Sequence, residues 1–314
     1  MNNKKPTHSK TQTTKSRPKP SKQKPALKAP SANLPTGDER ISKVLARGGV
    51  GSRREIERWI DEGRLMLNGV IVKQGDKLQP GDHLQLNGRI IHWQRYAQQP
   101  TRILIYHKPT GEVVTRRDPE GRPVIFTQLP KLHTGRWIAV GRLDINTAGL
   151  LLVTNNGELA NRLMHPSSEL EREYAVRILG DVDEAVFEKL KKGVELEDGI
   201  ARFNDIKFQG GEGANKWYHV VVTEGRNRLV RRLWESQNVT VSRLIRIRYG
   251  AIGMPDGLKA HSFYELTMDE LNDLLDSVGL AKERAVDQST SYDKTRKKEN
   301  RPIVTSKGKS KTRF

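Results

Sequence analysis

The chain contains no cysteine, so disulfides, thiolate metal sites and a cysteine nucleophile are excluded together. It also lacks any apolar run near the roughly 18 residues that a membrane-crossing helix requires, and its first residues hold no apolar stretch of the secretory-leader kind. A soluble, cytoplasmic chain is expected. Eight histidines are present, none spaced like a metal-ligand set, and Gly210-Gly211-Glu212-Gly213 is without the Lys-Ser/Thr that lets a glycine loop hold phosphate. That loop reads as the tip of a hairpin. No metal and no organic cofactor are implied, and no heptad or fixed-period repeat runs through the sequence.

Acidic residues are scarce at the two ends. Residues 1–37 carry nine Lys or Arg and no Asp or Glu, and residues 281–314 carry eleven basic against four acidic residues. Of the net charge of +19, these ends hold +9 and +7, which leaves +3 for residues 38–280. Rich in Pro, Ser, Thr and Lys, they are expected to be disordered basic tails over 1–38 and 281–314. Such tails serve either solubility with weak anion binding or contact with RNA, and composition leaves both open.

At Glu39 a patterned segment begins. Ile41, Val44 and Leu45 fall at helical spacing before Gly48-Gly49, and Ser52 with Glu55 opens a second helix whose apolar face is Ile56, Trp59 and Ile60. Asn68-Gly69 between Leu65-Met66-Leu67 and Val70-Ile71-Val72 predicts a tight hairpin, and a further strand follows Pro80-Gly81. Two helices and a small sheet in this order, with Lys43, Arg53, Arg54, Arg58 and Arg64 around them, resemble the S4-like (alpha-L) RNA-binding motif first named in a small-subunit ribosomal protein. The resemblance implies that Lys43, Arg53, Arg54 and Arg64 contact RNA phosphates; each also has the ordinary reading of a solvated surface charge.

Residues 89–100 read as a polar linker, so a small RNA-binding domain with its linker is expected over 39–98 and a larger domain over 99–280. In the larger one, strand-like runs recur at 102–106, 137–140, 150–154, 174–179, 217–223 and 241–249, and helical patterns at 158–164, 184–191 and 228–237. Strands seldom alternate singly with helices. The expected class is therefore α+β, with a mixed, largely antiparallel sheet rather than a doubly wound one.

The most informative string is Gly141-Arg142-Leu143-Asp144, a three-residue spacer, then Gly149-Leu150-Leu151-Leu152-Val153-Thr154-Asn155-Asn156-Gly157. Read alone, Asp144 sits in a turn between strands, where an Asp usually caps or closes the turn. The whole string, however, closely resembles the signature of the pseudouridine synthases, in the branch that modifies ribosomal RNA at single sites. The likeness continues through Glu158 to Pro166, Glu171-Arg172-Glu173-Tyr174 and Glu224-Gly225-Arg226-Asn227-Arg228-Leu229-Val230-Arg231-Arg232-Leu233, and spans about Arg102 to Thr267. Carried over by position, it implies that Asp144 is the catalytic carboxylate, that Tyr174 packs against the target base, and that Arg231 pairs with Asp144. Arg142, Arg172 and Arg226 are implied substrate contacts. The family usually has Lys two residues before the tyrosine, where this chain has Arg172; the charge persists but the hydrogen-bond geometry need not.

That chemistry needs little equipment. Uracil leaves C1′, turns and rejoins through C5, with no redox step and no group donor, and one carboxylate serves whether it attacks C1′, adds at C6 or removes the C2′ proton. A stacked uridine hides these atoms, so the nucleotide must leave its stack, and a planar aromatic suits the displaced base. Tyr174 otherwise reads as a core residue. Gly210 to Tyr218 and Asp118-Pro119-Glu120-Gly121-Arg122-Pro123 most resemble members that act on large-subunit RNA, although Asp118 to Gly121 reads first as a turn. The expected partner is ribosomal RNA and the expected state a monomer. Two other readings stay open: a non-catalytic RNA-binding ribosome-assembly factor, and the same chemistry on small-subunit ribosomal RNA or transfer RNA.

Overall fold

The structure, a computed structural model, describes Met1 and residues 38–96 and 99–284. The two expected tails lie almost wholly outside the described residues. Met1, Asp38 and residues 281–284 are the exceptions, and Glu283 is tied down: its carboxylate accepts from Thr101 N at 2.9 Å, and its own N donates to Asn272 Oδ1 at 2.8 Å.

The first helices are α1 (Ile41–Arg47) and α2 (Arg53–Asp61). Ser52 accepts from Glu55 N and the Glu55 carboxylate accepts from Ser52 N, the reciprocal cap that the sequence predicts. Four short strands follow: β1 (Leu65–Leu67), β2 (Val70–Ile71), β3 (Leu84–Leu86) and β4 (Arg89–Ile91), antiparallel in the order β2-β1-β3-β4. Asn68 and Gly69 turn the first hairpin with φ of 50° and 84°, the left-handed pair such a turn requires. The polar linker expected over 89–100 is not what the first half of that segment forms. Residues 89–91 complete the sheet, and Trp93 is buried in the core with Ile41, Leu45, Ile56 and Leu84, its indole N–H donating to the Asp82 carbonyl at 3.0 Å. Burying one indole outweighs the glutamines around it.

The larger sheet has nine strands. Its continuous path uses β5 (Ile103–Lys108), β6 (Ala148–Thr154), β7 (Arg172–Leu179), β8 (Asp205–Phe208), β9 (Asn215–Val222), β10 (Val241–Tyr249) and β11 (Phe263–Glu265). The order is β8-β9-β7-β10-β6-β5-β11, and every neighbour on it is antiparallel except β10 with β6. This is the mixed, largely antiparallel α+β sheet that the sequence predicts. The Gly210-Gly213 loop joins β8 to β9, as a hairpin tip.

Strand β6 reads Ala-Gly-Leu-Leu-Leu-Val-Thr and is buried along its whole length because both faces are covered. Leu150 and Leu152 face α3 (Gly157–Met164) and α6 (Met268–Ser277), while Leu151 and Val153 face Tyr106, Ile125 and Trp137 on the other side. Farther along the sheet, α4 (Glu184–Lys192) and α5 (Leu229–Glu235) close a third core of Val176, Ile178, Val220, Leu233 and Trp234. Tyr174 packs against both this core and the one around Tyr106. A cleft opens at that boundary.

The parallel seam between β10 and β6 explains one signature glycine. Gly149 pairs with Arg246 at φ +108°, and a Cβ there would meet the Arg246 carbonyl oxygen at 2.2 Å. Backbone cannot retreat from such a contact, so position 149 admits only glycine.

Candidate active site

Asp144 stands in the turn that leads into β6, on the wall of a cleft of about 1030 Å³ lined also by Arg142, Arg172, Tyr174, Arg226 and Arg246. The turn is held from behind, carbonyl by carbonyl. The Asp144 carbonyl accepts from Thr147 N at 3.0 Å and from Lys108 Nζ at 3.0 Å; Ile145 O accepts from Gly111 N at 2.8 Å. Asn146 O accepts from Arg231 Nη2 at 2.9 Å and Thr147 O from Lys108 Nζ at 2.9 Å. Four consecutive carbonyls in an irregular segment thus all have donors, which fixes the backbone from which the Asp144 side chain projects.

Lys108 is the centre of this clamp. It is fully buried at the end of β5, and its ammonium also donates to the Pro109 carbonyl at 2.9 Å, so each of its three protons has an acceptor. Burial lowers its pKa to about 8, against the opposing pull of the Glu112 and Asp144 charges. Glu112 is itself buried, accepting from the Tyr106 hydroxyl at 2.7 Å and contacting His261 Nδ1 at 3.0 Å. Burial and that carboxylate push the Tyr106 phenol well up. A buried lysine held by carbonyls, and a buried glutamate whose charge acts on it without contact, therefore underlie the turn.

Arg231 stands beside the Asp144 turn, and its hydrogen bonds go to backbone. No ion pair joins it to Asp144 among the described residues; its terminal nitrogens donate to the carbonyls of Val241 at 2.8 Å and Asn146 at 2.9 Å. Burial and then the Arg228 charge lower its pKa, and the Asp144 charge partly offsets them. The guanidinium bridges the Asp144 turn to the start of β10, acting on the carboxylate through space and through its backbone. Asp144 and Arg231 belong to opposite halves of the sheet, and the carbonyls of an irregular turn compete well for a planar donor.

Tyr174 is half-buried on β7, beside a register shift between Glu173 and Tyr174 in the pairing with β10. The three implied substrate arginines differ. Arg142 is exposed and has no side-chain partner among the described residues. Arg226 is engaged by the turn at 198–200, donating to Asp198, Gly199 and Ile200, and by Glu224 at 2.6 Å. Arg172 is buried, donating to the carbonyls of Leu170 and Thr223 and, at 3.3 Å, to the Tyr249 hydroxyl.

In the small domain the four candidate RNA contacts also separate. Arg53 and Arg54 are exposed without side-chain partners among the described residues. Lys43 is in ion pairs with Glu39 at 3.2 Å and with Glu158 of α3 at 3.4 Å, so it joins the small unit to the large one. Arg64 lies over the Trp59 ring and donates to Asn87 and Glu62. A second contact between the units is backbone on backbone: Gly135 N donates to Gly48 O at 3.3 Å, and a Cβ on Gly49 would lie 2.8 Å from Gly135 O.

Sequence reading missed Lys108, Glu112 and Arg246. A signal for Lys108 exists: Leu104, Tyr106 and Lys108 share one strand face by period-two alternation, so the lysine must follow two core residues inward.

Comparison with known proteins agrees with this geometry. Residues 102–236 match the family described as RNA pseudouridylate synthase, and residues 39–84 match the S4 domain. Fold and cleft therefore define an RNA-modifying enzyme with an S4 domain ahead of its catalytic sheet. Ribosomal large subunit pseudouridine synthase B of Escherichia coli (strain K12) is 54% identical over 264 residues, covering 83% of this chain and 91% of that protein. Its namesake from Pseudomonas aeruginosa is 55% identical over 249 residues, covering 79% of this chain and 64% of that protein. A crystal structure of pseudouridylate synthase shares the fold, with a TM-score of 0.52 at 24% identity, over 75% of this chain and 99% of that one. The chain belongs to the RNA pseudouridine synthase family.

Proposed function

We propose that the chain converts a uridine of large-subunit ribosomal RNA into pseudouridine, with Asp144 as the catalytic carboxylate. The observation that carries this is the clamped turn: a backbone with all four carbonyls satisfied presents one carboxylate to a cleft otherwise rich in arginine. The other acid in that lining, Glu224, is ion-paired with Arg226. A preorganised charge of this kind needs no rearrangement when the glycosidic bond weakens.

In the reaction the C1′–N1 bond breaks, uracil turns, C1′–C5 forms, and the C5 proton is lost as N1 gains one. Asp144 serves attack at C1′, addition at C6 or removal of the C2′ proton from the same position. Tyr174 is the surface against which the displaced base rests, Arg231 positions the Asp144 turn, and Arg142, exposed at the mouth, meets the RNA. Residues 39–98 dock the RNA through Arg53 and Arg54, residues 99–280 carry the chemistry, and the protein works as a cytoplasmic monomer. The large-subunit target is supported by the relatives' names and by 54% identity to one of them.

The test is a map of pseudouridines after incubating the purified chain with protein-free large-subunit and small-subunit RNA. One new site in the large-subunit RNA is expected. Modification confined to small-subunit RNA would remove the target, and none in either RNA or in assembly intermediates would remove the activity.

A further inference from the structure

Six arginines line the cleft, and their partners sort them. Arg122 is ion-paired with Asp118 and Glu120, Arg226 with Asp198 and Glu224, and Arg228 with Glu235. Arg142 is exposed, where water screens it. Arg172 and Arg246 are neither paired nor screened. They are 9% and 2% exposed, and no carboxylate reaches either among the described residues.

Their hydrogen bonds leave the charge uncompensated. Arg246 donates from Nε to the Leu150 carbonyl at 2.8 Å, while its Nη2 is buried with no partner among the described residues. Among the described residues Arg172 has only the two carbonyls and the Tyr249 hydroxyl. Both guanidinium carbons stand against the Tyr249 ring, at 5.0 and 5.1 Å from its centre, and that ring is fixed by its own hydroxyl, which donates to the Leu163 carbonyl at 2.7 Å. Faces of aromatic rings attract cations but do not neutralise them. Two buried guanidiniums around one tyrosine thus await a formal negative charge, because buried charge is tolerated where a counter-charge meets it.

A uridine supplies that charge only through its backbone. Uracil and ribose are neutral, and their oxygens offer no more than the carbonyls already in place, whereas a phosphodiester offers a full charge and acceptors matched to a planar fork. We propose that Arg172 and Arg246, both set against Tyr249, form a seat for the phosphodiester adjoining the target uridine. This seat rests on the reading of the cleft as a uridine site. It deepens that reading by giving the buried arginines on β7 and β10 the task of holding the RNA strand while the base is displaced. The Gly149 contact brings the Arg246 backbone against the start of β6, so the seat and the Asp144 turn are held on adjoining strands.

The test is a cycle between protein and RNA. Short RNA hairpins carrying the modified uridine are made with one neutral methylphosphonate linkage on its 5′ or its 3′ side, and equilibrium binding is measured with the unaltered protein and with Arg246→Met. For the unaltered protein, neutralising one of the two linkages should weaken binding about 10- to 100-fold, the usual worth of a charge-assisted hydrogen bond. Arg246→Met should weaken binding of the ordinary RNA by a similar factor and be nearly blind to the neutral linkage, while Arg246→Lys should retain part of the discrimination. Losses that multiply independently overturn the seat, as does less than about a threefold loss at both linkages with the unaltered protein, a comparison that needs no variant to fold. Pseudouridine is counted in the same RNA. Coupling without pseudouridine would keep the seat and discard the proposed chemistry, and pseudouridine without coupling would discard the seat alone.

Discussion

Replacing Lys108 by Met should detach the position of Asp144 from the scaffold beneath it. Three hydrogen bonds, to the carbonyls of Pro109, Asp144 and Thr147, would be lost, and of these acceptors the Asp144 carbonyl would keep Thr147 N. Hydrogen bonds from a charged donor contribute about 1.5 to 3 kcal/mol each, or about 4.5 to 9 kcal/mol for three. Against this stands the burial of the ammonium, which lowers its pKa from 10.5 to about 8. That shift corresponds to about 3 kcal/mol, so the net loss of stability is about 1 to 6 kcal/mol, or about 2 to 24 °C in melting temperature. Catalysis should suffer separately, since about 1 Å of drift in a catalytic group costs on the order of 100-fold in rate. The assay is single-turnover modification of an RNA fragment below the variant's melting temperature, with binding measured at fixed salt. A cooperatively folded Lys108→Met protein with a rate within twofold of the parent would refute the clamp. The same group sets a pH signature. A neutral amine has two protons for three carbonyls, so turnover should fall as pH rises through about 8. Stability moves the other way: the unfolded chain keeps the proton up to 10.5, so this group's contribution rises with pH between about 8 and 10.5.

Asp144→Asn should abolish pseudouridine formation, beyond the roughly 10²- to 10⁴-fold of an auxiliary acid or base, while RNA affinity stays near the parent's; measurable turnover by the folded variant contradicts the assignment. Arg53→Ala with Arg54→Ala should lower the log-log salt slope of RNA binding by about 1.4 to 1.8, whereas Lys43→Ala, whose charge faces Glu39 and Glu158, should leave it unchanged. Gly149→Ala should cost about 3 kcal/mol or more through its contact with Arg246 and its positive φ, a fall of about 6 °C or more in melting temperature. An unaltered melt would mean that the seam yields.

The sequence was most legible where a local rule and the tertiary structure agree. Ser52 with Glu55 predicts the start of α2, and Asn68-Gly69 predicts the first hairpin, because capping and left-handed turns are decided within four residues. Identical signals went unread elsewhere. Asn87-Gly88, at φ 51° and 75°, turns β3 into β4, and Thr267 with Glu270 caps α6 with the same reciprocal bonds. In both places glutamine-rich or acidic neighbours masked the local rule. The clamp was illegible for a different reason. That Lys108, Gly111 and Arg231 converge on one turn depends on strand order, and the residues lie 36, 34 and 85 positions from their acceptors. No window along the chain joins them.

The parallel seam has a further consequence, in the order of events during folding. Its register consists of Ile245 against Ala148 and Arg246 against Gly149, residues 97 apart in the chain in each pair. Apart from the edge strand β11, whose partners on β5 lie 157 to 161 residues away, each half of the sheet is built from antiparallel neighbours with closer partners, so those parts can collapse before the two meet. The loop closed by the seam is long, and its entropy is lost before the contact is gained. Asp144 lies on one side of that junction and Arg231 on the other, which makes the cleft among the last parts to assemble. A nascent chain therefore acquires its S4 domain, made from local contacts, well before it acquires the cleft.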